Sequence, residues 1–169
     1  MLSTFITILL INYSYGDSIS PGDHISITRK INDMITYNHH GIYIGNNEVI
    51  HYTDESFNPQ EAIIKKTSLK KFIGTSNKNT RTIIKYGNSD TSDNSVYGSV
   101  PFDSTTVINR AYSRLGEQEY DLFKNNCEHF ANYCNIGKSE SGQINKIKTT
   151  LVEMRKGLDL LFHSLIYSF

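Results

Sequence analysis

Cysteine, proline, net charge and long apolar runs are all scarce in this chain, and each scarcity removes a class of protein. Cysteine occurs only at Cys127 and Cys134. On the helix read below, a seven-residue spacing sets their Cα atoms roughly 10 Å apart, beyond the ~7 Å that a disulfide spans. Two thiols are also too few for a cysteine-built zinc site. Three prolines exclude a proline-rich linker. Lys and Arg number 17 against 17 Asp and Glu, so the basic footprint of a nucleic-acid binder is missing. The apolar run Phe5–Ile11 falls short of the ~20 residues that cross a bilayer. What is plentiful is core material: 38% hydrophobic residues, with 11 Tyr and 8 Phe, exclude a disordered chain. At 169 residues the prior is one domain.

Both ends are apolar. Residues 1–16 read equally as a signal peptide, with Ser14 and Gly16 near a cleavage point, or as a first strand, since no Lys or Arg precedes the run. GLDLLFHSLIYSF spaces Leu158, Leu161, Leu165 and Ile166 as a helix, expected from Leu151 onward; it packs on the domain or lies in a membrane interface. The expected division is therefore 1–16, a main domain over 17–150, and an apolar helix over 151–169.

Between the ends the pattern is first β and then α. Residues 24–28 alternate, and HGIYIG (40–45) and VIHY (49–52) flank an Asn-rich turn as a hairpin. Further strands are expected at Ala62–Ile64 and Thr80–Lys85, joined by a polar connection over 65–79, and 87–101 reads as an exposed loop. Asp103 or Ser104 caps a helix carrying Val107, Ile108, Ala111, Tyr112 and Leu115 and stopped by Gly116. Strands followed by helices indicate an α+β fold.

NNCEHFANYC is the most informative stretch. Asn125 or Asn126 caps a helix with Cys127 in its first turn, where free N–H groups and the helix dipole are expected to lower the thiol toward neutrality. Cys134 reads as a buried structural thiol. A nucleophilic thiol needs an imidazole base and a group to orient it. His129 lies on the nucleophile's own helix and His163 in the terminal segment, which leaves the hairpin pair His39 and His51.

PGDHISITR (21–29), YNHHGIYIG (37–45), VIHY (49–52) and RAYSRLGEQEYDLFKNNCEHF (110–130) together resemble the lecithin:retinol acyltransferase-like family, which includes phospholipase A and acyltransferase enzymes and is related by circular permutation to NlpC-type cysteine peptidases. The resemblance implies an antiparallel sheet packed on helices in a permuted papain-like fold. It implies Cys127 as nucleophile, His39 as base and His51 as its orienting partner, acting through a thioester on glycerophospholipid esters without metal or organic cofactor. His40 stands where the family has Trp, Gly41 where it has Ala, and His24 where an apolar residue is common. The implied partners are a phospholipid and a membrane surface, with no nucleic acid. The implied location is cytoplasmic and peripheral to membranes, or the secretory pathway if residues 1–16 are a signal. Two other readings stay open: a silent interaction module on the same fold, and a thiol amidase or peptidase.

One difficulty is geometric. A two-residue turn at Asn46–Asn47 sets His51 opposite Ile42 and leaves His39 on the other face, unless His39 precedes the regular strand or a bulge or longer loop shifts the register.

Overall fold

The computed structural model describes residues 18–31, 35–53, 61–74, 81–87 and 99–166. The N-terminal run and most of the 87–101 connection lie outside these. Five strands, β1 (His24–Ile31), β2 (Ile35–Gly45), β3 (Glu48–Thr53), β4 (Ile63–Ser68) and β5 (Arg81–Ile83), form one sheet in the order β4-β3-β2-β1-β5. Every neighbouring pair is antiparallel. Among the described residues four helices accompany it: α1 (Leu69–Ile73), α2 (Ser104–Ser113), α3 (Cys127–Ile136) and α4 (Gly142–Ile166). The α+β expectation holds.

Alternation along the strands splits the core in two. Ile42, Ile50, Tyr52 and Ile64 meet Val107 and Ala111 of α2 and Phe130, Ala131 and Cys134 of α3 on one face. Ile25, Ile27, Tyr43 and Val49 meet Phe72 of α1 on the other. Each fully buried aliphatic or aromatic side chain contributes roughly 1.5–3 kcal/mol, so both faces hold the sheet in place.

The β2–β3 turn decides the geometry of the site. Asn46 and Asn47 have φ of 49° and 56°, the left-handed pair of a type I′ turn. Gly45 pairs with Glu48, but Tyr43 pairs with Val49 and Ile42 with Ile50, so Ile44 is an extra residue in β2. This bulge slides the register by one. Continued along the strand, it sets Gly41 opposite His51 and puts His39, two residues on, on the same face.

Two expectations are corrected. Residues 65–73 are not a polar connection: β4 runs through Lys65, Lys66 and Thr67, and Ser68 caps α1 by accepting the Lys71 N–H at 3.1 Å. The C-terminal helix starts at Gly142 instead of Leu151, anchored by the buried Ile144.

Candidate active site

Helix α3 begins at Cys127 because Asn126 has extended backbone and its Oδ1 accepts the N–H groups of Glu128 (2.9 Å) and His129 (3.1 Å). His129 closes the capping box on the Asn126 N–H at 3.3 Å. The loop ahead of the cap is held by polar contacts. Asn125 Nδ2 donates to Tyr52 Oη at 3.0 Å and to Glu117 Oε1 at 2.9 Å, and Arg114 pairs with Glu117 while donating to Asn125 Oδ1 at 3.0 Å. These contacts are the physical content of the LGEQEYDLFKNN stretch.

The sulfur lies against the edge of β2. Its nearest acceptor is the Asn38 carbonyl, 4.0 Å from Sγ, and the His40 N–H donates to it. Tyr43 bonds toward β1 through its N–H and C=O, so the alternating groups of Asn38 and His40 point toward β3. The β2–β3 ladder joins residues 42–45 to 48–50, and Cys127 approaches the strand beyond it.

On the α1 side of the sheet, His39 Nε2 meets His51 Nδ1 at 2.9 Å, with the ring planes at 82°. His51 Nε2 reaches Thr67 Oγ1 of β4 at 2.8 Å, and its Nδ1 also lies 3.0 Å from the Tyr52 carbonyl. The Phe72 ring covers both imidazoles at 5.4 and 5.1 Å between centroids.

Burial sets the charge state. His39 is held well below the ordinary imidazole range by desolvation, reinforced by His51 and Arg29, and His51 is lowered to about 3 by desolvation with Arg29 adding to it. The Cys127 thiol is pushed up to about 11 by desolvation; the Glu128 carboxylate adds to this, and the backbone N–H groups of His40 and Glu128 oppose it. Burial thus opposes the lowering expected from the helix start, since the loss of water outweighs the favourable field there.

The structure thus brings His39 and His51 together and sets Cys127 against the backbone that brackets His39. No hydrogen bond joins Sγ to the His39 ring among the described residues. Cys134 is fully buried, as expected. The sequence reading missed Thr67 behind His51. It also missed the buried carboxylate of Glu128, which accepts from Gly142 N–H at 3.1 Å and Gln143 Nε2 at 3.0 Å. The third omission is a contact between His24 and His40. The visible signal for it was two departures from the family pattern falling on adjacent strands.

A thiol opening a helix beside a sheet that carries paired imidazoles defines the class as an α+β protein with strand-borne histidines preceding a helix-borne cysteine. The family model for lecithin retinol acyltransferase matches residues 17–140, and the chain belongs to that family. It is 28% identical to rat "Phospholipase A and acyltransferase 1" over 159 residues, covering 87% of this chain and 86% of the relative. It is 29% identical to human "Phospholipase A and acyltransferase 2" over 143 residues, 77% of this chain and 78% of the relative. Mouse "Lecithin retinol acyltransferase" is 30% identical over 144 residues, 77% of this chain and 60% of the relative.

Proposed function

We propose that this chain is a thiol-dependent acyltransferase and phospholipase A that takes an acyl group from a glycerophospholipid ester. Family membership supports the reaction class. The observation that carries the residue assignment is the seat of the Cys127 sulfur against Asn38 C=O and His40 N–H, the groups on either side of His39, whose ring is coupled to His51.

Thiol and imidazole are both neutral at rest, so attack proceeds with general-base help. The Tyr52 carbonyl, 3.0 Å from His51 Nδ1, can only accept, so at rest the neutral His51 ring carries its proton on Nδ1, shared with His39 Nε2 at 2.9 Å, and its Nε2 accepts from Thr67 Oγ1–H. General-base action uses the other tautomer, in which His39 Nε2–H donates to His51 Nδ1 and His39 Nδ1 is bare, at the cost of the His51–Tyr52 bond. The S–H proton passes to Nδ1 as the sulfur bonds to the ester carbonyl carbon. The ester C–O bond then breaks, and the departing lysophospholipid takes the proton. Water, an amine or an alcohol attacks the thioester, gives its proton to His39, and the thiol is restored. At the α3 start Asn126 Oδ1 already takes the N–H groups of Glu128 and His129, so the donor there for the oxyanion that forms at each step is the Cys127 N–H.

A permuted papain-like arrangement accords with strand-borne histidines preceding a helix-borne thiol. Contact with the lipid surface accords with α4, which exposes Ile147, Leu151, Val152, Met154, Leu158 and Leu160; among the described residues no helix is long and apolar enough to cross a membrane. The deciding experiment is incubation with mixed phospholipid vesicles and mass spectrometry of both lipid and protein. Lysophospholipid release and an acyl adduct on Cys127, both lost in Cys127→Ala, are expected. Cleavage of a muramyl peptide instead, or no adduct on Cys127, would overturn the reading. A silent module is the second reading, favoured by the elevated thiol and its carbonyl partner, and the absence of any adduct would select it.

A further inference from the structure

A second pair of imidazoles lies on the helix side of the sheet and has no part in the mechanism above. His24 and His40 sit diagonally on β1 and β2, where Ser26 pairs with His40 and His24 with Ile42. His24 Nε2 and His40 Nδ1 are 2.7 Å apart, and the residues are 1% and 2% exposed. The contacts continue in both directions. His24 Nδ1 reaches Tyr86 Oη at 2.6 Å, Tyr86 Oη donates to Asn132 Oδ1 at 2.7 Å, and Asn132 Nδ2 donates to the Glu140 carbonyl at 2.8 Å. At the other end Gln143 Nε2 lies 3.1 Å from His40 Nε2.

Gln143 fixes the direction of the whole run. Its Oε1 accepts the Asn38 N–H at 3.0 Å, so its Nε2 is the donor toward His40. His40 therefore accepts at Nε2 and donates from Nδ1 to His24 Nε2, and His24 donates from Nδ1 to Tyr86. Each joint has one donor and one acceptor, with no proton to spare. Adding a proton at His40 Nε2 sets two donors against each other at Gln143, and adding one at His24 Nε2 does the same at His40. The two hydrogens of Gln143 Nε2 are shared among His40 Nε2, the Asn38 carbonyl at 3.3 Å and Glu128 Oε2 at 3.0 Å. The run thus ends on both backbone groups of Asn38 and on the residue after the thiol.

We propose that His40 is a positioning residue for Cys127: the buried run Tyr86–His24–His40–Gln143 holds the β2 backbone, and with it the His40 N–H, against the sulfur, and it does so only while both imidazoles are neutral. The consequence for turnover rests on Cys127 being the nucleophile proposed above. The groups facing the couple are Tyr86 after β5, Glu128 and Cys127 of α3, and His39 of β2, with Arg29 of β1 acting on His39. Burial keeps His24 and His40 neutral near pH 7, His40 being lowered to about 4 against the pull of Glu128.

The test uses Tyr86→Phe, which removes one hydroxyl from the run with little change in volume, and the double variant His24→Leu/His40→Trp, which removes both imidazoles together. Two quantities are read: kcat and KM on phospholipid vesicles from pH 3 to 8, a range that passes below the His40 value of about 4 and is used only where circular dichroism shows the chain folded, and the rate of iodoacetamide labelling of the Cys127 peptide at pH 8. Tyr86→Phe is expected to lower kcat and the labelling rate by roughly tenfold each, with KM unchanged. The double variant is expected to lose one proton from the acid limb of the kcat profile. Labelling reads the sulfur without lipid, so it decides the positioning role even if no lysophospholipid is released. Unchanged labelling and an unchanged acid limb, with only the melting temperature lowered, would reduce the couple to packing and overturn the proposal. Should the double variant fail to fold, the labelling rate of Tyr86→Phe decides alone.

Discussion

Gly41 and His51 face each other across the β2–β3 hairpin with no room for a side chain between them: a Cβ on Gly41 would stand 3.1 Å from the His51 Cβ, 2.7 Å from Val49 Cγ1 and 2.9 Å from Phe72 Cε2. The close approach lets Phe72 close over both imidazoles of the His39–His51 couple. Gly41→Ala should therefore destabilise the fold by about 1–3 kcal/mol, as overpacking of a filled core does, and lower turnover further by moving His51. Adding Phe72→Leu should recover part of both losses, since the aromatic edge is one of the clashing groups. Urea unfolding and lipid turnover on the single and double variants check this. A Gly41→Ala chain as stable and active as the parent would show that the pocket has slack.

Stability should fall on mild acidification, through the buried histidines. The folded pKa of each of His24, His39, His40 and His51 is lowered below the unfolded value near 6.5 by burial, to about 4 for His40 and about 3 for His51. As pH drops, the unfolded chain takes up protons first. The stability that comes from keeping these rings neutral is therefore complete above pH 6.5 and is lost progressively toward the folded values. Each such ring withdraws roughly 1.4 kcal/mol per pH unit below 6.5, so the urea midpoint should fall steeply between pH 7 and pH 5. A midpoint that stays level from pH 7.5 to 4.5 would mean that the imidazoles titrate as they do in the unfolded chain and are not buried.

The thiol gives an independent check on the neutral-pair mechanism. With Cys127 raised to about 11, iodoacetamide labelling of the lipid-free chain should be slow at pH 7 and climb about tenfold per pH unit past pH 9. Peptide mass spectrometry separates this signal from Cys134, which burial raises to about 12. A rate plateau already reached near pH 6–7 would reveal a preformed thiolate–imidazolium pair and exclude general-base attack. Slow labelling combined with an acyl adduct in lipid would fit the proposed enzyme, while slow labelling without one fits the silent module.

Much of the framework was legible because it rests on local signals. Alternation marked β1 to β3, Asp103 and Asn126 marked the starts of α2 and α3, and Asn46–Asn47 marked the turn. The Lys65–Ser68 half of β4 was not, because β4 is an edge strand whose outer residues are polar, and Lys66 there pairs with Glu48 at 3.1 Å instead of joining a core. The beginning of α4 was hidden in a polar stretch whose helical state is set by tertiary contacts, with Ser141, Gly142 and Gln143 all donating to Glu128. At the site, residue types, spacing and the family resemblance pointed to Cys127, His39 and His51, but whether the histidines meet depended on one extra residue at Ile44. No periodicity announces such a bulge, although a register shift was among the expected ways out of the difficulty. The direction of the thiol shift was misjudged for a related reason: a helix start is visible in sequence, whereas the depth at which it is buried is not.

Helix α4 supplies the last test. Ile147, Leu151, Met154 and Leu158 follow 3- and 4-residue spacing and are each about half exposed, at 48, 58, 61 and 55%, while Lys146, Lys148, Arg155 and Lys156 lie along the same helix. Apolar side chains interleaved with basic ones suit an anionic lipid interface, where the chains enter the acyl boundary and the amines meet phosphates. Deleting residues 158–169 should lower binding to anionic vesicles several-fold while leaving the urea midpoint near its parent value, because among the residues whose side chains are described the buried positions of α4 lie at its root, in Gly142 and Ile144. Sedimentation with vesicles of rising anionic content checks the first expectation, and urea unfolding checks the second. Undiminished binding would move the lipid contact elsewhere. An unfolded truncation product would make the end of α4 part of the core.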